Sequence, residues 1–75
     1  MLKIPLFILA PSLFDAEITA VEHKANDWKY ISSADSLRGY QHIKIWLAKN
    51  FCLRNDLNEI FSECHRRRVV FESKS

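Results

Sequence analysis

Glycine is almost missing from this chain: one residue in 75, Gly39. Dinucleotide and nucleoside-triphosphate loops need several glycines, because only a backbone without side chains can close on a pyrophosphate. Neither GxGxxG nor GxxxxGK[ST] occurs. Cysteine is scarce too. Cys52 and Cys64 form no CxxC pair, and His65 is the only histidine beside either. A structural zinc site needs four ligands in closely spaced pairs, so no metal is expected and both thiols are read as buried or half-buried in a reducing cytosol. No charge sign dominates, with 11 Lys and Arg against 9 Asp and Glu. The net charge of +2 does not demand a polyanionic partner.

Long apolar runs are also absent. The longest, from Ile4 to Ala10, follows Lys3 in the manner of a secretory signal, but it carries Pro5, lacks a small-x-small cleavage site and falls far short of the roughly 20 residues that span a bilayer. No membrane partner is expected. The histidines, His23, His42 and His65, fall in different elements, and no motif places a serine or cysteine beside one as a nucleophile. We therefore expect no catalytic residues, no cofactor and no enzyme.

What is present is a globular composition: 48% hydrophobic, 27% charged, 12% aromatic. That is too apolar for a disordered segment and suits a single small domain over residues 1–75. The Ile4–Ala10 run reads as a central strand covered on both faces, paired firmly only from Leu6 because Pro5 cannot donate. Ser12 is an N-cap with Asp15 three residues on, opening a helix whose apolar stripe is Phe14, Ile18, Val21 and Ala25 and which Asn26 and Asp27 should end. "WKYIS" reads as a short strand. "ADSLR", capped by Ser33 or Asp35, reads as one helical turn, closed by Gly39 in the left-handed conformation.

"HIKIWLAKN" then sets Ile43, Ile45 and Leu47 on one face and Trp46 and Ala48 on the other. A last helix, capped by Asn55 or Asp56 with Glu59 completing a capping box, carries Leu57, Ile60, Phe61 and Cys64 at helical spacing and ends in "HRRR". "VVFE" is the last strand. Alternating strands and helices imply crossover connections, hence a minimal three-layer α/β domain with a short, mainly parallel sheet, order 2-1-3-4, and two main helices. Its expected core is Leu6, Ile8, Phe14, Ile18, Val21, Ile43, Ile45, Leu47, Leu57, Ile60 and Phe61.

Three surfaces compete for a function. Open sheets take ligands where strand order reverses, and there Ser12 and Lys49 are candidate phosphate-binding residues, weakened by Pro11 and by the lack of glycine. Arg66, Arg67 and Arg68 are candidate nucleic-acid contacts, with a solubilising helix end as the simpler reading. The second strand should be an open sheet edge, which makes Trp28, Tyr30, Arg38 and Tyr40 the leading candidates for binding a protein, either a foreign partner or a second copy.

The run "DWKYISSADSLRGYQHIKIWLAKNF" followed by "RNDLNEIF" resembles small Rossmann-like proteins of bacteriophage genomes, in which a W-x-Y-[IV] strand, an L-R-G turn and a second apolar strand precede a short acidic-capped helix. The resemblance implies a cytoplasmic accessory protein without chemistry of its own, one that binds and inhibits a host or defence protein.

Overall fold

The computed structural model describes residues 4–74. Strand β1 (Leu6–Leu9) is followed by helix α1 (Leu13–Glu22), strand β2 (Lys29–Tyr30), a 3-10 turn (Ala34–Leu37), strand β3 (His42–Leu47), a second 3-10 turn (Phe51–Leu53), helix α2 (Leu57–Cys64) and strand β4 (Arg68–Ser73). The four strands form one sheet in the order β2-β1-β3-β4, every pairing parallel. Ile8 faces Trp46 across the β1–β3 ladder, and Ile45 faces Phe71 across β3–β4. The Pro5 carbonyl accepts from the Lys44 N–H at 2.9 Å, so proline contributes the one backbone hydrogen-bonding group it has at the point where pairing begins.

Because side chains alternate along a strand, the sheet has two distinct faces. On one, Phe7, Leu9, Ile43 and Ile45 pack with Ile31, Leu37, Ile60 and Cys64, and Leu47, Leu57 and Phe61 close over them half-buried. On the other, Ile8, Ala10 and Ala48 pack with Ala16 and Ala20 of α1, bordered by Trp28, Tyr30 and Trp46. Helix α2 therefore covers one face and α1 the other, giving the three-layer α/β domain.

The expected face of α1 is reversed. Phe14 is 68% exposed and Val21 78%, and Ile18 is exposed as well, while Ala16, Thr19 and Ala20 are buried. The cause lies in the sheet. Its α1 side is filled by two tryptophans and a tyrosine, so the helix packs with small side chains, since a close-packed interior has room for large groups on only one of two facing surfaces. Thr19 is admitted because its hydroxyl, although buried, donates to the Asp15 carbonyl at 3.1 Å.

Ser12 caps α1 as its position implies: its hydroxyl accepts the Asp15 N–H at 3.3 Å and donates to the Asp15 carboxylate at 3.0 Å. The helix stops at Glu22, short of Asn26 and Asp27. The Lys24 N–H donates to the Val21 carbonyl at 3.2 Å and the Ala25 N–H to the Ala20 carbonyl at 2.8 Å, a Schellman ending with lysine at φ +55° where glycine is usual.

Gly39 has φ +87°. It follows Arg38 at φ −60°, ψ 134°, and the Tyr40 N–H donates to the Leu37 carbonyl at 3.2 Å. This is a type II turn with glycine at its third position, directing the chain into β3. Nothing lies within 4 Å of where a Cβ would stand, so the requirement for glycine is conformational and not steric.

Candidate functional site

At the carboxyl end of a parallel sheet the last carbonyls of each strand lose their ladder partners, which is why such ends collect ligands. Here a side chain of the protein satisfies them. The Arg54 guanidinium, 7% exposed, donates through Nη1 to the Ala10 carbonyl at 3.2 Å and to the Ile31 carbonyl, and through Nη2 to the Ser32 carbonyl at 3.0 Å. Its remaining N–H groups form a fork on Asp56, Nε to Oδ1 at 2.9 Å and Nη2 to Oδ2 at 2.8 Å, and the cation lies 5.6 Å from the Tyr30 ring centre.

These contacts tie together the segments after β1, after β2 and before α2. The Arg54 hydrogen bonds hold the Asp56 carboxyl below its ordinary range. They also explain why the expected capping box is missing. Asp56 occupies the N-cap position of α2 but makes no side-chain cap, because its carboxylate is taken by Arg54.

This arrangement decides what the crevice can do. Arg54 has its donors spoken for and offers none to an incoming anion. Ser12 is committed to Asp15, whose carboxylate stands at the same helix end and repels anions. Lys49 is exposed in the turn after β3, next to Asn50 at φ +64°. The two candidate phosphate residues thus sit in a cap and a solvated turn.

The arginine run divides in the same way. Arg67 is held inward, Nε donating to the Tyr40 carbonyl at 2.7 Å and Nη1 to the Glu63 carbonyl at 2.7 Å and the Glu63 carboxylate at 2.9 Å. It fastens the end of α2 to the turn before β3. Only Arg66 and Arg68 remain exposed, so the three guanidinium groups do not form one basic patch.

The edge aromatics are partly absorbed by the body of the protein. Trp28 and Tyr30 are half-buried on the α1 side, and Tyr40 packs on the opposite side, edge-on to Phe7 with ring centres 5.1 Å apart. Arg38 is exposed in its turn. Trp28 and Tyr40 meet at a cleft of about 240 Å³ at the amino-terminal ends of β1 and β2, with Ile4, Pro5, Leu6, Asp27 and Lys29 completing its lining. β2 itself is only two residues long.

Ile4 in that cleft and Leu53 in the second 3-10 turn are exposed singly, and the grouped exposed apolar side chains lie elsewhere. Leu13, Phe14, Ile18 and Val21 stand on α1, and Val70 and Phe71 on β4. Beside Phe71, a groove of about 370 Å³ runs between β4 and α2, lined by Leu47, Phe61, Cys64, His65 and Phe71. The α1 surface was detectable in principle, because Ala16, Thr19 and Ala20 also follow helical spacing and match a sheet rich in bulky aromatics. Cys64 is buried, and burial pushes its thiol pKa up. Cys52, expected to be buried or half-buried, is exposed in the second 3-10 turn.

Among the described residues no cluster of three metal-binding side chains occurs, and no helix is long and apolar enough to cross a membrane. Comparison of the chain with protein-family models, with curated proteins and with solved structures found no match.

Proposed function

We propose that this chain acts without chemistry of its own, by binding another protein, and that the outer face of α1 is its contact surface. One observation carries the reading: Leu13, Phe14, Ile18 and Val21 project into solvent from a helix that buries only small residues. Apolar side chains grouped on one helix face are the usual anchors of helix-in-groove recognition. Burying each of them is worth about 1.5–3 kcal/mol before the cost of association is subtracted.

Charge describes the partner further. Every ionisable side chain within α1 is an acid: Asp15, Glu17 and Glu22. Two copies of this face would oppose carboxylates to carboxylates, so the surface suits a foreign protein with an apolar groove and a basic rim. By occupying such a groove the chain would act as an inhibitor or an adaptor.

The test is affinity capture with the parent chain and with a Phe14→Glu, Val21→Glu double variant of unchanged circular dichroism. A protein retained by the parent and lost by the variant, with binding that weakens as salt rises, supports the reading. Identical captured sets overturn it.

A further inference from the structure

We infer that β4 is a self-association edge: two copies pair through antiparallel β4 strands about a two-fold axis at Val70, joining their four-stranded sheets into one. The two ends of the sheet are protected unequally. β2 offers two residues to any incoming strand, whereas β4 offers six, with Val69, Val70 and Phe71 at its centre and neither proline nor lysine within it. Its charges, Arg68 and Glu72, flank the apolar centre and do not interrupt it, and among the described residues no further strand pairs with β4.

The hydrogen-bond phase selects the pairing. The Arg68 N–H donates to the Gln41 carbonyl at 2.8 Å and the Lys74 N–H to the Leu47 carbonyl at 3.0 Å, at the two ends of the β3–β4 ladder. Alternation along a strand therefore turns the even-numbered backbone groups toward β3 and those of Val69 and Phe71 toward the open edge.

With the axis at Val70, Val69 of each copy meets Phe71 of the other, and each such pair exchanges both its N–H groups. Val70 then meets its own equivalent, and Arg68 lies opposite the second copy's Glu72, both in the closer, non-hydrogen-bonded pairing. Arg68, Val70 and Glu72 share the α1 face of the strand, so each of these cross-strand pairs falls on one side of the sheet.

Charge then separates this register from its neighbours. Moving the axis to Phe71 keeps the hydrogen-bond phase but sets Arg68 against the second copy's Lys74. Moving it to Val69 draws in Arg67, which is already bound to Tyr40 and Glu63. Among the charged residues within β4 itself, Arg68 and Glu72, only the axis at Val70 puts opposite charges together twice. Glu72 already accepts Lys74 at 3.1 Å and lies 3.4 Å from the Lys44 ammonium, and a carboxylate has lone pairs left for a guanidinium. On the other face, the groove bordered by Phe61 and Phe71 gains the second copy's Val69 as a further wall. A two-fold axis normal to the sheet leaves both α1 helices on the same side, facing outward and free for the partner proposed above.

Sedimentation equilibrium on the full chain tests this. The parent should show twice the 8.8 kDa of one chain. Arg68→Glu should reduce it to the single-chain mass, and Arg68→Glu combined with Glu72→Arg should restore the double mass. Should the combined variant lose its circular dichroism, Val70→Lys replaces it: a single-chain mass with parental dichroism supports the inference, and an intact dimer overturns it. Amide exchange at Val69 and Phe71 should slow with rising parent concentration and stay fast in Arg68→Glu. A single-chain parent, or a dimer indifferent to Arg68→Glu, overturns the inference. So does a dimer dissolved by Phe14→Glu with Val21→Glu, which would place self-association on α1 and remove the foreign partner as well.

Discussion

Helix α1 meets its side of the sheet with Ala16, Thr19 and Ala20, while α2 meets the other with Ile60 and Cys64, backed by Leu57 and Phe61. Their ends differ as well. α1 starts on a serine cap and finishes on a Schellman turn, both local devices. α2 is fastened at either end by an arginine reaching into other parts of the chain, Arg54 before it and Arg67 after it. So α2 contributes most of the large apolar burial and the long-range polar anchoring, and α1 contributes close packing inside and an unused apolar surface outside. Large apolar burial and exposed apolar surface are thus divided between the helices on the two faces of one sheet.

That division can be broken most sharply at Arg54. Arg54→Ala strands the Ala10 and Ile31 carbonyls and leaves the Asp56 carboxylate without its cation, and should cost about 3–5 kcal/mol in chemical denaturation. The same contact predicts a pH dependence. A carboxyl group whose folded pKa is depressed stabilises the fold above its unfolded value and loses that contribution as pH falls through the folded one. The denaturation midpoint of the parent should therefore drop as pH is lowered through and below the carboxylate range, and Arg54→Ala should flatten part of that slope.

Next in size is the contrast between the helices themselves. Ile60→Ala, at a fully buried position on α2, should cost about 2–5 kcal/mol, and Val21→Ala, exposed on α1, should stay within about 0.5 kcal/mol. Equal losses at the two sites would mean that α1 faces the sheet as its large residues first suggest. Ala20→Leu probes the same point from inside, since three added carbons have to enter a close-packed seam, at about 1–3 kcal/mol.

Smaller effects sharpen the account of the ends. Gly39→Ala, at φ +87° with no neighbour to meet, should lose about 1–2 kcal/mol from backbone conformation alone. Lys24→Gly runs the other way. Relieving a non-glycine left-handed residue at the end of α1 should add about 0.5–1 kcal/mol, seen as a raised thermal midpoint.

Strand order, the parallel pairing and the turn at Gly39 could all be read from residue patterns, because alternation of strand and helix, a proline at the start of a strand and a lone glycine each have few physical solutions. The face of α1 follows only when two competing helical stripes are weighed against the residues of the sheet. Phe14, Ile18 and Val21 form the more apolar stripe, and only knowledge of Trp28, Tyr30 and Trp46 crowding the opposing surface shows that Ala16, Thr19 and Ala20 must turn inward. Arg54 was invisible for a related reason: its partners, Ala10, Ile31 and Ser32, are backbone carbonyls brought together by topology, which no local spacing encodes. Arg67 belongs with it. A run of three arginines says nothing about which guanidinium will find a carbonyl from the turn before β3.

The all-parallel sheet also governs how quickly the chain can reach this state. With no hairpin among the described residues, no strand there pairs with its neighbour in sequence through a tight turn, and every ladder waits on a closed loop. β1 occupies the interior of the sheet, yet its partners are residues 29–30 and 44–47, so Phe7, Ile8 and Leu9 stay unsheltered until those segments arrive. Folding dominated by such distant pairings is slow for a domain of this size. During that interval the apolar first strand is the segment most open to intermolecular association, and rapid dilution should favour refolding over aggregation.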